Sequence, residues 1–393
     1  MKIGVPREIV PGERRVALVP EVVGRLVKAG NTVIVEAGAG DRAGFRDDDF
    51  RTAGASIAPD AAALCADADV LLKVQRPAHD EANNRDELDL YRPGTTVIAL
   101  LDARQDRDTL ARLAARGVTA IAMELIPRIT RAQMMDALSS QSTVAGYKAA
   151  LLAANAVGRF FPLLMTAAGT IRPSRVLVIG AGVAGLQAIA TARRLGAVVE
   201  AFDTRPVVKE QVMSLGASFV ELEVSEAEAQ DAGGYARELG EEHIRREKEL
   251  IHQHAAKADA VITTALVPGR RAPVLIPEAT VKAMRPGSAI VDLAAEQGGN
   301  CELSVPGKTV VRHGVTIVAP LHLPSELAYD ASAMYARNVE ALLKHLAPKG
   351  EMVIDLSDEI TGAACVTANG EVRLDRPAGA PATAAAGAQE AKV

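Results

Sequence analysis

Tryptophan is absent from this chain of 393 residues, and aromatic residues make up only 3% of it. The core must therefore be built mostly from Val, Leu, Ile and Ala, which suits a parallel α/β sheet. Cysteine is scarce: Cys65, Cys301 and Cys365 are far apart, and no two stand at metal-ligand spacing. That argues against a disulfide framework or a zinc site, fits a reducing compartment, and makes three inert thiols the simplest reading. Excess positive charge is missing too. The net charge is −5 with both signs mixed, which leaves no basic footprint for nucleic acid and no polybasic patch for a membrane surface. No hydrophobic run is long enough to span a bilayer. The most apolar stretch, Thr143 to Gly169, is interrupted by Lys148 and Arg159 and falls short of the roughly 18 to 20 uncharged residues a span needs; its first part reads as a buried helix. The opening MKIGVPRE reads directly as a strand, without a signal-peptide pattern.

What is present is the composition of a globular protein, 49% hydrophobic and 24% charged, with length for two domains. Short apolar runs alternate with helix-period segments, the mark of βαβ units. The first third offers strands at 2–5, 32–36, 70–74, 97–101 and 119–123, with helices at 20–29 and 107–116 ending before Gly30 and Gly117, where C-terminal caps belong. A long helical segment follows, about 134 to 160, ended near Pro162. A second series has strands at 176–179, 198–202, 260–264, 289–293 and 316–318, and a last long helix spans about 326 to 346. The expected fold class is α/β, with two Rossmann-like domains of parallel sheet, the second inserted into the first and joined by long helices. The first domain would be 1–140 plus 325–376, the second 141–324. The Ala/Pro/Gly-rich 377–393 reads as a flexible tail.

The strongest local signal runs from Val176 to Asp203. In Val-Leu-Val-Ile-Gly180-Ala-Gly182-Val183-Ala-Gly185, Gly180 permits the tight strand-to-helix turn, Gly182 lets backbone approach a pyrophosphate, and Gly185 lets the helix pack on the strand. The helix N-terminus offers N–H groups and a partial positive charge to the phosphates. Asp203, ending the second strand, can accept hydrogen bonds from the adenosine ribose hydroxyls and repel a 2′-phosphate, which favours NAD over NADP. Arg205 works against that preference, because an Arg can host such a phosphate. The alternative, a glycine turn in a nucleotide-free domain, does not account for strand, glycines, helix, second strand and Asp together.

Read with its surroundings, the chain resembles the NAD(H)-binding component of proton-translocating nicotinamide nucleotide transhydrogenase and, more distantly, alanine dehydrogenase. The matching segments are Gly4-Val-Pro-Arg-Glu8, Arg14-Arg-Val-Ala-Leu18, Lys73-Val-Gln-Arg-Pro77, Met123-Glu-Leu-Ile-Pro-Arg128, Arg131 to Ser140, Gln187-Ala-Ile-Ala190, Asp231-Ala-Gly-Gly234-Tyr235, Ile262-Thr-Thr-Ala265-Leu266 and Gly298-Gly-Asn-Cys-Glu302. The resemblance covers residues 1 to about 372. It implies NADH on this chain, NADP(H) on a partner subunit, direct hydride transfer between the two nicotinamides, and coupling to proton movement by a membrane subunit. It also implies a homodimer, cytoplasmic and peripheral on the inner membrane. Arg128, Asp136 and Ser139 would position the NADH carboxamide and ribose, and Gln133 would reach toward the partner's nucleotide. Val183, Thr204, Ala265 and Leu266 would join the glycines, Asp203 and Arg205 around the cofactor, with Gly234 and Tyr235 as a flap closing over it. From the residues alone, the segment at Asp136 reads equally as a polar helix start, and the segment at Tyr235 as a surface loop.

A dehydrogenase acting on its own small substrate is the alternative. Alanine dehydrogenase resembles this chain at Arg15 and Lys73, which in that family hold and activate the keto acid. Its catalytic His would fall near Leu100, its catalytic Asp is Glu296 here, and its late Asn is His322. Transhydrogenases usually carry Asn near 322 as well. Moving a proton alongside the hydride needs a general acid/base near neutral pKa, and Leu100 cannot serve. A non-catalytic NAD sensor is a third reading. His252 and His254, two apart on a helix, do not converge on a metal, and the charged run 237–249 reads as a solvated helix face.

Overall fold

The computed structural model describes residues 1–221, 238–266 and 271–374. The expected flap at Gly234 and Tyr235, and the expected tail 377–393, lie outside them. The chain divides into two compact units, one formed by Met1–Gln141 with Leu327–Val393 and the other by Ser142–Glu326. Among the described residues no helix is long and apolar enough to cross a membrane.

In the first unit, six parallel strands run in the order Thr119–Ala122, Thr96–Leu100, Val70–Gln75, Lys2–Val5, Thr32–Glu36 and Ser56–Ala58. Cys365–Ala368 adds antiparallel to Thr119–Ala122, and Glu371–Val372 pairs with it in turn. The central strands are nearly continuous apolar runs because helices cover both faces. Helix Pro20–Lys28 shows how. Pro20 starts it, Val22, Val23 and Leu26 face the core, and Gly30 at φ +88 closes it, its N–H bonded to the Val27 carbonyl while that of Asn31 reaches Leu26. Such a left-handed closing residue costs glycine little.

The second unit holds strands in the order Ser218–Phe219, Val198–Phe202, Arg175–Ile179, Ala260–Thr263, Ala289–Asp292, Val315–Ala319 and Lys308–Arg312, the last antiparallel. From Arg175–Ile179 the chain first steps to Val198–Phe202 on one side, and later to Ala260–Thr263 on the other. The reversal leaves a crevice beyond the carboxyl ends of the two central strands, where dinucleotides bind in such sheets. A short antiparallel hairpin, Leu164–Thr166 with Gly169–Ile171, stands apart from this sheet.

The long helical segment differs from expectation at both ends. Thr130–Met135 is a 3-10 turn, the α-helix is Ala137–Ala156, and it stops well before Pro162. The reason for the start is Asp136, whose carboxylate accepts the Ser139 N–H at 2.9 Å and its hydroxyl at 2.6 Å, a side-chain cap that begins a helix. This helix carries the chain from the first unit into the second. Ala149, Ala150 and Ala153 are buried with Val176, Val178 and Ile189. At Gly146 an added Cβ would lie 2.1 Å from the Ala184 carbonyl oxygen, so only glycine allows the approach to helix Val183–Arg194. The return passes through the 3-10 turn Leu323–Leu327 into helix Ala328–Leu346.

Candidate functional site

The glycine turn is built as its spacing predicts, and each glycine has a different reason. Gly180 sits at φ +95, and a Cβ there would come 2.6 Å from the Thr264 hydroxyl oxygen. A Cβ on Gly185 would lie 1.8 Å from the Gly180 carbonyl oxygen, whereas one on Gly182 would meet nothing within 4 Å. Fold requirements therefore explain Gly180 and Gly185 but leave Gly182 unexplained. Gly182 precedes helix Val183–Arg194, which no side chain caps, and Val183 is exposed. Backbone donors at an uncapped N-terminus, next to open space that a side chain would fill, suit an approaching anion.

Asp203 stands at the end of Val198–Phe202 and closes the turn from the side. Its carboxylate accepts the Ala181 N–H at 2.7 Å and, through both oxygens, the guanidinium of Arg205 at 2.9 Å. Burial works to raise its pKa, but the Arg205 side chain and then the Ala181 N–H outweigh it, so the carboxyl is held below its usual range. Thr204 is exposed beside it. Across the crevice, Ala265 and the exposed Leu266 follow strand Ala260–Thr263, and the Thr264 hydroxyl donates to the Gly180 carbonyl at 2.9 Å.

The other expected residues among those described belong to the first unit. Arg128 and Gln133 are exposed. Asp136 and Ser139, half-buried, bond to each other as the helix cap, so the polar helix start foreseen as an alternative is present. A carboxylate has about four acceptor positions, and the cap uses two. The segment is tied down from behind: the Asn338 amide donates to the Met134 carbonyl at 2.8 Å and accepts the Ser140 hydroxyl at 2.7 Å, and Arg131 pairs with Asp358 at 2.8 Å. Met134 projects outward, 75% exposed.

Arg15 and Lys73 are deeply buried and already paired. The Arg15 fork takes both oxygens of Glu13, at 2.8 and 2.6 Å, and the Gln141 amide oxygen at 2.7 Å. The Lys73 ammonium lies 2.8 Å from Glu87 and 3.2 Å from Glu8. Burial pushes Glu8 up to about 7, with Lys73 opposing and the carboxylates of Glu87 and Glu13 adding to the rise. Glu13 goes the other way, to about 2, because Arg15 outweighs its burial. Leu100 ends its strand with no group that could carry a proton. His322 takes a left-handed φ of 49, a conformation that Asn and His tolerate better than most residues, and its N–H donates to the Glu296 carboxylate. His252 and His254 reach separate partners, Thr280 and Glu200. All three cysteines are buried; burial raises Cys65 to about 12 and Cys301 and Cys365 to about 11.

Two families span nearly the whole chain: "Alanine dehydrogenase/PNT, N-terminal domain" matches residues 4–145, and "Alanine dehydrogenase/PNT, C-terminal domain" matches 149–375. The chain belongs to the alanine dehydrogenase/PNT family. Within it, the chain is similar to the first portion of the NAD(P) transhydrogenase alpha subunit of Rhodospirillum rubrum, 51% identical over 378 residues, covering 95% of this chain and 97% of that one. Among solved structures it resembles a transhydrogenase from Sinorhizobium meliloti, with a TM-score of 0.85, 43% identity, and coverage of 95% of this chain and all of the other. Alanine dehydrogenase of Mycolicibacterium smegmatis is more distant, 31% identical over 379 residues, covering 95% and 94%.

Sequence reasoning overlooked Gly146, Asn300 and Asp292 as parts of this scaffold. A signal existed for Gly146, since glycine inside a helix costs about 1 kcal/mol and needs a packing reason. Asn300 was read only as part of a matching segment, because its side-chain partners Ala265 and Pro273 lie 35 and 27 residues away. The donors on Asp292 come mostly from the turn at 294–304, but they are largely backbone N–H groups that no residue type announces.

Proposed function

We propose that this chain is the NAD(H)-binding alpha component of a proton-translocating transhydrogenase, peripheral to a membrane on its cytoplasmic side. The observation that carries the reading is Gly182. It opens a side-chain-free space at an uncapped helix N-terminus, beside a carboxylate placed for a ribose. Bound there, NADH would supply a hydride to NADP+ held by a partner subunit, giving NAD+ and NADPH, while a membrane subunit couples the exchange to proton movement. The chain's own residues bind and orient. The backbone at Gly182 and Val183 faces the pyrophosphate, and Asp203, with Thr204 and Arg205 beside it, faces the adenosine ribose. Ala265 and Leu266 line the far side. Arg128, Asp136 and Ser139 fix the carboxamide, with one acceptor and one donor to set the ring, and Gln133 faces the partner. Transfer between two nicotinamides depends on placing the rings and asks for no general base.

The competing dehydrogenase reading lacks its proton carrier at Leu100, and its two substrate-holding cations are neutralised internally. The deciding assay supplies the purified chain with NADH, pyruvate and ammonium, and separately with NADH and an NADP(H)-loaded partner subunit. Turnover is expected only in the second case. Substantial alanine formation by the chain alone would overturn the proposal.

A further inference from the structure

Asp292 is fully buried at the end of strand Ala289–Asp292, and five donors converge on its carboxylate. One oxygen accepts the Thr263 hydroxyl at 3.0 Å, the Ala294 N–H at 3.0 Å and the Asn300 N–H at 3.2 Å. The other accepts the Cys301 N–H at 3.0 Å and the Ser304 hydroxyl at 2.7 Å. The chain wraps round it through Gly298 and Gly299, at φ +100 and +80. A Cβ on Gly299 would lie 2.9 Å from the carboxylate.

This turn delivers Asn300, itself fully buried, to a single place. Its amide oxygen accepts the Ala265 N–H at 3.0 Å, and its amide nitrogen donates to the carbonyls of Ala265 and Pro273, each at 2.9 Å. Both donors and one acceptor position are used on backbone, and Ala265 is held at both its N–H and its carbonyl. Aspartate has the shape but no donor, and alanine has neither.

Ala265 follows Ala260–Thr263, the strand beside Arg175–Ile179 on the side away from Asp203. A dinucleotide lying across the crevice, with its adenosine at Asp203 and its pyrophosphate at Gly182, would extend its second nucleoside toward Ala265 and Leu266. We propose that Asn300, anchored by Asp292, is a positioning residue that sets the Ala265 backbone for the nicotinamide half of the cofactor. The inference rests on the NAD(H) reading and adds to it a half-specific role.

The test compares two probes on the full chain: NADH, followed by its fluorescence, and ADP, which carries only the adenine half. For Asn300→Ala we expect the dissociation constant of NADH to rise roughly tenfold, as loss of a buried hydrogen-bond set implies, with that of ADP unchanged. Thr263→Val is milder, removing one of the five donors on Asp292 while keeping the side chain's shape, so it reports even if Asn300→Ala folds poorly. It should weaken NADH a few-fold and leave ADP alone. Equal weakening of both probes would reduce Asn300 to a structural role and overturn the proposal, as would unchanged NADH binding. A wild-type chain that binds no NADH would overturn the nucleotide reading itself, and this inference with it.

Discussion

Two side chains carry sharp consequences. The first is Arg205, clamped on Asp203 by two hydrogen bonds. A ribose that takes the Asp203 carboxylate must share it with, or displace, this guanidinium. Asp203→Ala removes the ribose acceptor and releases an Arg able to meet a 2′-phosphate. It is expected to weaken NADH and strengthen NADPH, narrowing the preference; titration with both nucleotides checks this, and an unchanged ratio would show that Asp203 does not set it. The second is Glu8, buried beside Lys73, Glu87 and Glu13 and raised to about 7. Its carboxyl titrates near 4.3 in an unfolded chain, so the folded state binds its proton more tightly. The stability linked to that proton is complete below the unfolded value and is lost as pH rises through about 7. Melting temperature should therefore fall from pH 5 to pH 8. In Glu8→Gln, which keeps the neutral form's shape, that slope should flatten, with the variant the more stable of the two at pH 8. A slope unaltered by the substitution would place the proton elsewhere.

At the scale of elements, the glycine turn separates folding from binding. Gly182→Ala places a methyl where no protein atom stands, so the chain should melt as the wild type does while losing NADH affinity about tenfold or more. Gly185→Ala drives its methyl into the Gly180 carbonyl and should lower the melting temperature itself. Equal melting and equal NADH binding for Gly182→Ala would remove the support it gives to a phosphate site. These glycines were legible because a turn between strand and helix concentrates its requirements within ten residues. The parallel strands were legible for a similar reason, as runs such as Val176–Ile179 are buried on both faces. Those that escaped are short or half-exposed: Ser56–Ala58, Ser218–Phe219, the hairpin at 164–171, and Lys308–Arg312, whose residues are mostly exposed. Cys365–Ala368 is entirely buried but only four residues long, and its partner Thr119–Ala122 lies far away in sequence, so no local period marks it. Of the candidate site, Asp136 was legible in the residues as a helix start, which its bonds to Ser139 bear out; its place beside a nicotinamide came from the resemblance and stays a proposal.

At the scale of the whole molecule, the proposed function needs a partner. Gln133→Asn or Asp136→Asn should slow hydride transfer to a partner's NADP+ much more than it weakens NADH binding. One contact made mainly in the transition state can be worth a few kcal/mol, roughly a hundredfold in rate. Asn at 136 can still accept the Ser139 N–H, so the helix cap survives. Full rates in both variants would remove the loop from the site. Self-association can be tested at the hairpin. An isolated two-stranded hairpin is marginal in water, yet this one and its flanks leave Phe160, Leu163, Met165 and Ile171 exposed, Met165 at 79%. A second copy, presenting the same apolar edge about a two-fold axis, would cover it. If the chain forms the homodimer that its resemblance implies, Met165→Asp with Ile171→Asp should shift it to monomers in sedimentation; a monomeric wild type or an undisturbed dimer would remove the hairpin as the interface.

The paired charges around Arg15 and Lys73 also bear on how far the chain can change. Freeing those two cations for an incoming anion means removing their carboxylates one at a time. Losing Glu13 alone strands a buried guanidinium and losing Glu87 alone weakens the hold on a buried ammonium, and breaking such a pair costs about 3–5 kcal/mol, a large part of the roughly 5–15 kcal/mol that holds a typical domain folded. A keto-acid reaction would need a proton carrier at position 100 as well. Each carboxylate lost exacts a penalty at once, so the arrangement works as a lock: the two cations can be opened to an incoming anion only through changes that first weaken the fold around them.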